Sequence, residues 1–321
     1  MSALKLTVWI KGKTIMLEYK VDGPALKDGI PLHIAVASLD SFQAVLDKTY
    51  LVAVGSKKMS SRDRNVFQLK ASSFSRGSLV ATFEIILTGV QLALPFVGTL
   101  GPQNIWEYTK DTFNFLKVVC GSVQNGEKPQ YVFKNNGAVT VKTGNTVNNY
   151  YAPVIQIGES ALPNYQHLAH LIDPKKLDEI SAGQSGQEKP DIFIGKNDRN
   201  IFDIPTRIEK ETIRLLCEIY DFNKYKNVGR LSVKDQNQPV PPGEYSFTID
   251  GSQNYVDYIY SMLKPEVELA CLVELESNPF GDDKVHQLHI TGVKSKQITD
   301  SNAKSRVAQP NIEGRKGEDQ A

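Results

Sequence analysis

Alternating and helical patterns of apolar residues organise the start of the chain. LKLTVWIKG and TIMLEYKV both alternate, which predicts two strands of a hairpin around Lys11–Lys13. From Pro31 to Gly55 the apolar residues recur at spacings of three and four, as in an amphipathic helix.

Two further strands and a helix follow. Asn65–Phe74 and Ser78–Leu87 alternate and predict strands that are joined at Ser75-Arg76-Gly77. Ile105–Gly121 carries a helical apolar stripe and ends in a glycine that suits a helix C-terminus. The order of these elements predicts an α+β fold, an α/β sandwich with helices on one face of a sheet.

A segment rich in Asn, Thr, Gly and Tyr comes next, at residues 132–157. Asn135-Asn136-Gly137 and Gly144-Asn145 are hairpin-turn signals within it. Such short strands bury little apolar area and need a partner surface, either the first domain or another copy of the chain. A helical pattern resumes at Ser160–Ile180.

The last third predicts a small OB-like five-stranded β-barrel with a helix between its third and fourth strands. The predicted strands are Glu211–Phe222, Gly229–Val233, Tyr245–Ile249, Val267–Leu275 and Val285–Val293, with a helix at Tyr255–Leu263. The resulting domain plan is an α+β domain at 1–180, a flexible linker at 181–190, a barrel at 191–294 and a disordered tail at 295–321.

Composition narrows the classes of function. The chain has 321 residues, with 37 Lys and Arg against 36 Asp and Glu, a balance that excludes a strongly basic nucleic-acid packer. Three widely spaced cysteines indicate neither a disulfide framework nor a cysteine-rich zinc site. No linear catalytic motif is present, so the sequence favours a non-enzyme with no catalytic residue, metal or cofactor, although a site built from distant loops leaves no such motif.

One apolar run leaves the compartment open. The N-terminus does not read as a secretory signal, which favours the cytoplasm. Leu79–Leu100 is nearly long enough to span a bilayer, and a membrane-acting effector is one interpretation. The favoured alternative is a buried strand to Leu87 followed by a buried helix, because Glu84 is costly in lipid and glycines and Pro95 interrupt the run.

Charge and surface pattern indicate two candidate sites. The first, called here the basic segment, carries six cations against the single Asp63, and it suits a nucleic acid or another anion. Its residues are Lys57, Lys58, Arg62, Arg64, Lys70 and Arg76. The barrel region from Arg207 to Lys294 has 10 Lys and Arg against 14 Asp and Glu, which disfavours nucleic-acid binding there.

The second candidate site is an oligomer or partner interface in the Asn/Thr-rich segment. Its residues are Asn145, Val147, Asn148, Tyr150 and Tyr151. His167 and His170 share a helix face but lack further convincing ligands, so a metal site is disfavoured.

Four segments carry a resemblance to a known family: VDGPALKDG, PLHIAVASLDSFQAVL, SRGSLVATFEI and GNTVNNYY. Together they resemble an uncharacterised prokaryotic family that is often found near prophage or defence genes. The resemblance spans roughly residues 4–294 and implies an α+β N-terminal domain, a C-terminal five-stranded barrel and a role in phage–host conflict through assembly or recognition. It implies no catalytic residues.

The sequence thus leaves three hypotheses. The leading one is a cytoplasmic, non-enzymatic protein that forms a homo-oligomer or docks a protein partner through the Asn/Thr-rich segment. The alternatives are a nucleic-acid sensor that uses the basic segment and a membrane-acting effector that uses Leu79–Leu100.

Overall fold

The computed structural model describes residues 14–27, 29, 31–75, 79–88, 93–94, 98–134, 137–251 and 253–294. The described chain forms two compact units. The first comprises the residues up to Arg207 together with Leu275–Lys284, and the second comprises Ile208–Glu274 and the residues from Val285 onward. Helices and strands are both abundant, so the predicted α+β class is confirmed.

The first unit contains both strands and helices, with runs of consecutive strands between the helices. Its strands are β1 (Ile15–Asp22), β2 (Phe67–Ser75), β3 (Leu79–Leu87), β4 (Ala93–Leu94), β5 (Gly98–Thr99), β6 (Gln130–Phe133), β7 (Ala138–Thr143), β8 (Thr146–Tyr151), β9 (Glu179–Gln184) and β10 (Ile192–Gly195). Its helices are α1 (Leu32–Ala53), α2 (Ser61–Val66), α3 (Pro102–Gln124) and α4 (Ala152–His170), with a 3₁₀ turn at Pro24–Leu26.

A five-stranded sheet is the centre of this unit, in the order β10-β9-β1-β3-β2. The alternation of β1 and β3 places one face of each strand in the core and leaves the other facing outward. On the core face the ring of Tyr19 stacks on Phe42 of α1, with centroids 4.5 Å apart. Tyr50 of α1 stacks on Phe67 of β2 at 4.8 Å. These contacts hold α1 against the sheet.

The helices predicted at Pro31–Gly55 and Ile105–Gly121 are confirmed with shifted ends. The helix predicted at Ser160–Ile180 is confirmed only as far as His170, because Ile180 belongs to β9. α3 runs three residues past Gly121, the predicted C-terminus, and is capped at Asn125. α4 begins at Ala152, so the Asn/Thr-rich strands end at Tyr151 and not at Ile157. Val154, Ile157 and Ala161 are buried at helical spacing, a pattern that the short run VIQI does not distinguish from a strand.

The predicted linker at 181–190 is wrong for its first four residues. Ser181–Gln184 belongs to β9, which pairs with β1 on one side and with β10 on the other. Polar composition suggested a flexible segment, but Ala182 and Ser181 are buried in the sheet. The boundary between the units therefore falls at Arg207, and β10 lies in the first unit and not in the barrel.

The apolar run Leu79–Leu100 starts as the predicted strand, β3, between β1 and β2. The predicted helix after it is wrong where the chain is described, because Ala93–Leu94 pairs with Gly98–Thr99 as two short antiparallel strands. Among the described residues, no helix combines the length and the apolar character that crossing a membrane requires.

The second unit is built around the predicted barrel, and this part of the fold class is confirmed. Its elements are β12 (Ile213–Asn223), β13 (Val228–Val233), β14 (Gly243–Ile249) and α5 (Tyr255–Ser261), together with most of β15 (Val267–Glu276) and β16 (Lys284–Lys294). The short strand β11 (Thr206–Ile208) pairs with β15 and spans the boundary at Arg207. The ladder runs β15-β12-β13-β14-β16 and closes through a pairing of β15 with β16. β14 and β16 are parallel, and the helix lies between the third and fourth barrel strands.

Aromatic rings fill one part of the barrel core. Tyr258 of α5 stacks on Phe222, with centroids 5.5 Å apart, and Phe222 stacks on Phe247 at 6.2 Å. Gly229 of β13 faces this cluster, and a Cβ there would lie 2.4 Å from the Phe247 ring and from the Asp221 carbonyl oxygen. Only glycine fits at that contact.

Four predictions fall wholly or partly outside the described residues. They are the first strand of the N-terminal hairpin, the turn at Ser75-Arg76-Gly77, the turn at Asn135-Asn136-Gly137 and the tail at 295–321.

Candidate functional site

All five residues of the predicted interface belong to the three-stranded antiparallel sheet β6-β7-β8. Four of them lie in β8, and Asn145 lies in the turn between β7 and β8. The register places Val147 opposite Lys142, Asn149 opposite Thr140 and Tyr151 opposite Ala138. Because side chains alternate along a strand, Val147, Asn149 and Tyr151 share one face of the sheet. That face is called the outer face below.

A tight turn sets this register. Gly144 and Asn145 are the two loop residues between β7 and β8, and Gly144 has φ +53°. A positive φ at the first of two loop residues is what a type II′ hairpin turn needs, and glycine supplies it. Asn145 therefore serves the turn and precedes the strand.

Two of the predicted interface residues point inward. The ring of Tyr150 packs edge-on against Phe115 of α3, with centroids 5.1 Å apart, and Asn148 is half-buried on the same face. Val139 and Val141 of β7 are fully buried beside them. Burial raises the pKa of Tyr150, and nearby Asp111 raises it further. Tyr150 is therefore partly buried and packs its ring against the core.

The remaining predicted residues are exposed on the outer face. Val147 is 57% exposed and Tyr151 is 62% exposed. Val132 of β6 lies on this face and is 48% exposed. It pairs with Thr140, which pairs in turn with Asn149. The Thr140 hydroxyl donates to the Asn149 side-chain oxygen over 2.8 Å, which fixes the polar centre of the face. The outer face thus joins apolar side chains to a short polar ladder.

The same strand presents an unpaired backbone edge. In the described part of the chain, β8 has a strand partner on one side only, β7. A two-residue hairpin loop makes Thr143 and Thr146 a hydrogen-bonded pair, and hydrogen-bonded pairs then recur at every second residue along the ladder. The amide of Ala152, six residues after Thr146, fits this alternation, because it donates to the Gly137 carbonyl 2.9 Å away. The even-numbered residues of β8 therefore bond to β7, and the amides of Val147, Asn149 and Tyr151 point away from the sheet.

No charged residue lies within β8, whose sequence is TVNNYY. Exposed edge strands are normally protected by lysine, proline or a bulge against pairing with another chain. Here none of these devices is present between Thr146 and Tyr151, so the edge is chemically suited to strand pairing.

One cation of the basic segment, Arg64, is neutralised by an acidic partner in the structure. The Arg64 guanidinium forms a two-point ion pair with Asp47 of α1, at 2.7 and 2.5 Å. Asp63 caps α2 through Ser60 and accepts from the Tyr50 hydroxyl. Lys57, Lys58, Arg62 and Lys70 are exposed, and Arg76 lies outside the described residues. The nucleic-acid hypothesis stays a prediction.

Two histidines, His170 and His289, have hydrogen-bond partners. His170 Nε2 lies 2.6 Å from Asp203 Oδ1, and among the described residues no group of three or more His, Cys, Asp or Glu could hold a metal ion. In the barrel, His289 bridges Thr248 Oγ1 at 3.1 Å and Glu274 Oε2 at 2.8 Å. The sequence showed no link between these three residues because they come from different strands, and the contacts satisfy a half-buried imidazole.

Comparison with known proteins adds no relative. No family model matches the chain, and no curated protein and no solved structure is significantly similar to it. The resemblance to a prophage- and defence-associated family therefore stays a prediction.

Proposed function

We propose that this chain is an assembly protein that self-associates through antiparallel pairing of β8 with β8 of a second copy. The observation that carries the proposal is the uncharged edge of β8, which pairs with no other strand than β7 among the described residues and is flanked on the outer face by exposed Val147 and Tyr151. Pairing of this kind adds a strand to a sheet edge and satisfies the backbone groups that point outward.

The strand is complementary to itself, which is why the occupant is a second copy. A two-fold axis at Asn149 places Asn149 opposite Asn149 of the second copy. The same axis places Val147 opposite Tyr151 of the second copy, in both directions. A β-branched residue opposite an aromatic one is a favourable cross-strand pair. Isologous contacts of this kind close into dimers.

The strength of the association follows from its size. Each backbone hydrogen bond contributes about 0.5–1.5 kcal/mol, and each favourable side-chain pair about 0.2–1 kcal/mol. A six-residue strand buries less area than a standard stable interface of about 1,600 Å². We therefore expect a reversible dimer with a Kd in the micromolar to millimolar range.

A concentration series in sedimentation velocity tests this proposal. The full chain should shift from monomer to dimer with concentration, and Val147→Asp with Tyr151→Asp should abolish the shift. Tyr225→Asp is the matched control, because Tyr225 is also an exposed tyrosine but lies in the barrel unit. A full chain that stays monomeric up to about 1 mM contradicts the proposal.

A backbone variant separates strand pairing from side-chain adhesion. Asn149→Pro removes an amide that points away from β7, whereas Asn149→Ala keeps that amide and loses only the bond from Thr140. We expect Asn149→Pro to be monomeric and Asn149→Ala to dimerise. If both variants dimerise equally, the two copies do not pair through this edge.

The biological setting is a further part of the proposal, and the sequence resemblance alone supports it. The assembly acts in the cytoplasm, in phage defence or prophage biology. Cells that carry the full chain should differ in phage plating efficiency from cells that carry Asn149→Pro at equal abundance. Equal plating removes the link between the assembly and phage–host conflict.

A further inference from the structure

A cavity of about 330 Å³ lies on the outward face of the five-stranded sheet. The outward residues of adjacent strands form its floor, with Lys20 of β1 opposite Ser181 of β9, and Ser181 opposite Phe193 of β10. The segment that follows β9 forms its wall. A volume of this size falls at the lower end of small-molecule sites, which span about 300–1,000 Å³.

Backbone hydrogen bonds fix the segment that forms the wall. The Ser185 amide donates to the Met16 carbonyl at 2.9 Å, and the Gln187 amide donates to the Gln184 carbonyl at 3.2 Å. Gly186 completes this turn with φ +87°. Beyond the turn, Asp191 accepts from the buried Trp106 indole at 2.8 Å. The cavity is thus formed before any ligand binds, which lowers the entropic cost of binding.

Gly183 lets the wall lie close to the floor. A Cβ at this position would be 3.1 Å from the Cα of Pro190, so a larger residue would push the wall outward. This glycine explains how a segment that is polar in sequence folds back over the sheet.

The lining combines one aromatic ring with many hydrogen-bonding groups. Phe193 is 44% exposed, and its ring lies against the backbone of Gly195, where a Cβ would be 2.9 Å from the ring. The polar residues of the lining include Glu18 and Ser181 on the outward face of the sheet and Gln187 in the wall. Carboxylates accept, ammonium groups donate, and amides do both.

The charges of the cavity largely oppose one another. Lys20 Nζ lies 2.8 Å from Glu179 Oε1 and 3.0 Å from Asp22 Oδ2, so its charge is already engaged. Among the remaining lining residues, Lys189 stands beside Glu188 in sequence, and Glu18 adds a further carboxylate. The lining thus has three carboxylates against two lysines, so it disfavours an anionic ligand, and the excess of a single carboxylate is too small to select a cation.

We propose that this cavity binds a neutral polyhydroxylated ligand, one or two sugar rings in size. A sugar ring has an apolar C–H face that packs on an aromatic ring and a rim of hydroxyls that both donate and accept. Phe193 supplies the apolar surface, and Glu18, Ser181 and Gln187 supply the polar rim. The proposal is independent of the β8 interface, which lies on a different sheet of the same unit.

Saturation-transfer NMR on the full chain tests the proposal with maltose, cellobiose, lactose and N,N′-diacetylchitobiose, and with glucose 6-phosphate as the anionic comparison. At least one neutral disaccharide should give a signal. Phe193→Ala should weaken its binding about tenfold, whereas Phe193→Tyr should retain it. Phe133→Ala, at an exposed aromatic outside the cavity, should change nothing.

A second variant covers a folding defect in Phe193→Ala. Glu18 is exposed, so Glu18→Gln should leave the far-ultraviolet circular dichroism unchanged and still weaken binding. The proposal is overturned by the absence of signal from all four neutral sugars, by stronger binding of glucose 6-phosphate, or by full binding in both cavity variants.

Discussion

The ring of Tyr150 packs edge-on against Phe115, whereas its neighbour Tyr151 is 62% exposed on the opposite face of the same strand. One step along β8 therefore separates a partly buried residue that packs on the core from an exposed residue. Tyr150→Ala should lower the free energy of unfolding by about 2–3 kcal/mol, because it leaves a cavity against α3. Tyr151→Ala should change it by less than about 0.5 kcal/mol.

Urea unfolding of the two variants at a dilute, monomeric concentration measures this contrast. Dilution matters, because the proposed dimer stabilises the folded chain by mass action. Equal losses of stability in both variants would show that the strand is oriented differently.

The sequence of β8 does not show which of its side chains face inward and which face outward. Asn148, Asn149, Tyr150 and Tyr151 give the strand a similar polar and aromatic character on both faces, so no alternation identifies the inward side. The type II′ turn at Gly144 sets the register, and Phe115, 35 positions earlier in the chain, completes the inward contact. Sequence analysis therefore selected the exposed residues Val147 and Tyr151 together with the inward-facing Tyr150 and could not separate them.

Other features of the fold also separate into those that the sequence predicts and those that depend on distant contacts. The barrel was predictable because its strands alternate clearly and a helical pattern falls between the third and fourth. Ser181–Gln184 was not predictable as a strand, because its burial depends on small residues beneath the Pro190 backbone. Arg64 was counted as a free cation because its partner Asp47 lies 17 residues earlier in the chain, in a different helix.

The close approach at Gly229 predicts a sharp effect on the barrel. Gly229→Ala places a methyl group on the Phe247 ring and on the Asp221 carbonyl, and it should cost about 1–3 kcal/mol through overpacking. Gly292→Ala is the matched control, because a Cβ there has no atom within 4 Å. Thermal unfolding by calorimetry compares them, and an unchanged Tm in Gly229→Ala would contradict the packing described for this strand.

The ion cluster of Lys20, Asp22 and Glu179 predicts a pH-dependent contribution to stability. Lys20 lowers the pKa of Asp22, and Glu179, followed by Asp22, raises the pKa of Lys20. The Asp22 contribution is present above its unfolded pKa of about 3.9 and is lost as the pH falls through the lowered folded value. The Lys20 contribution is present below about pH 10.4 and is lost as the pH rises through the raised folded value.

Lys20→Met measures this contribution. All three side chains are partly exposed to solvent, so the cost at pH 7 should be only about 0.5 kcal/mol, and it should disappear near pH 2. Lys57→Met is the control, because Lys57 is exposed and has no ion-pair partner among the described residues. A cost for Lys20→Met that persists unchanged at the acidic end would show that it reflects packing of the side chain and not its charge.

The three cysteines predict a clear result in thiol labelling. Cys120, Cys217 and Cys271 are free and buried. Burial raises the pKa of Cys120 and Cys217 to about 12 and that of Cys271 to about 11. Because the thiolate is the reactive form, the native chain should react negligibly with an aromatic disulfide reagent at pH 8. Unfolding in guanidinium chloride should expose all three thiols, and rapid labelling of any one in the native chain would show that its part of the core opens readily.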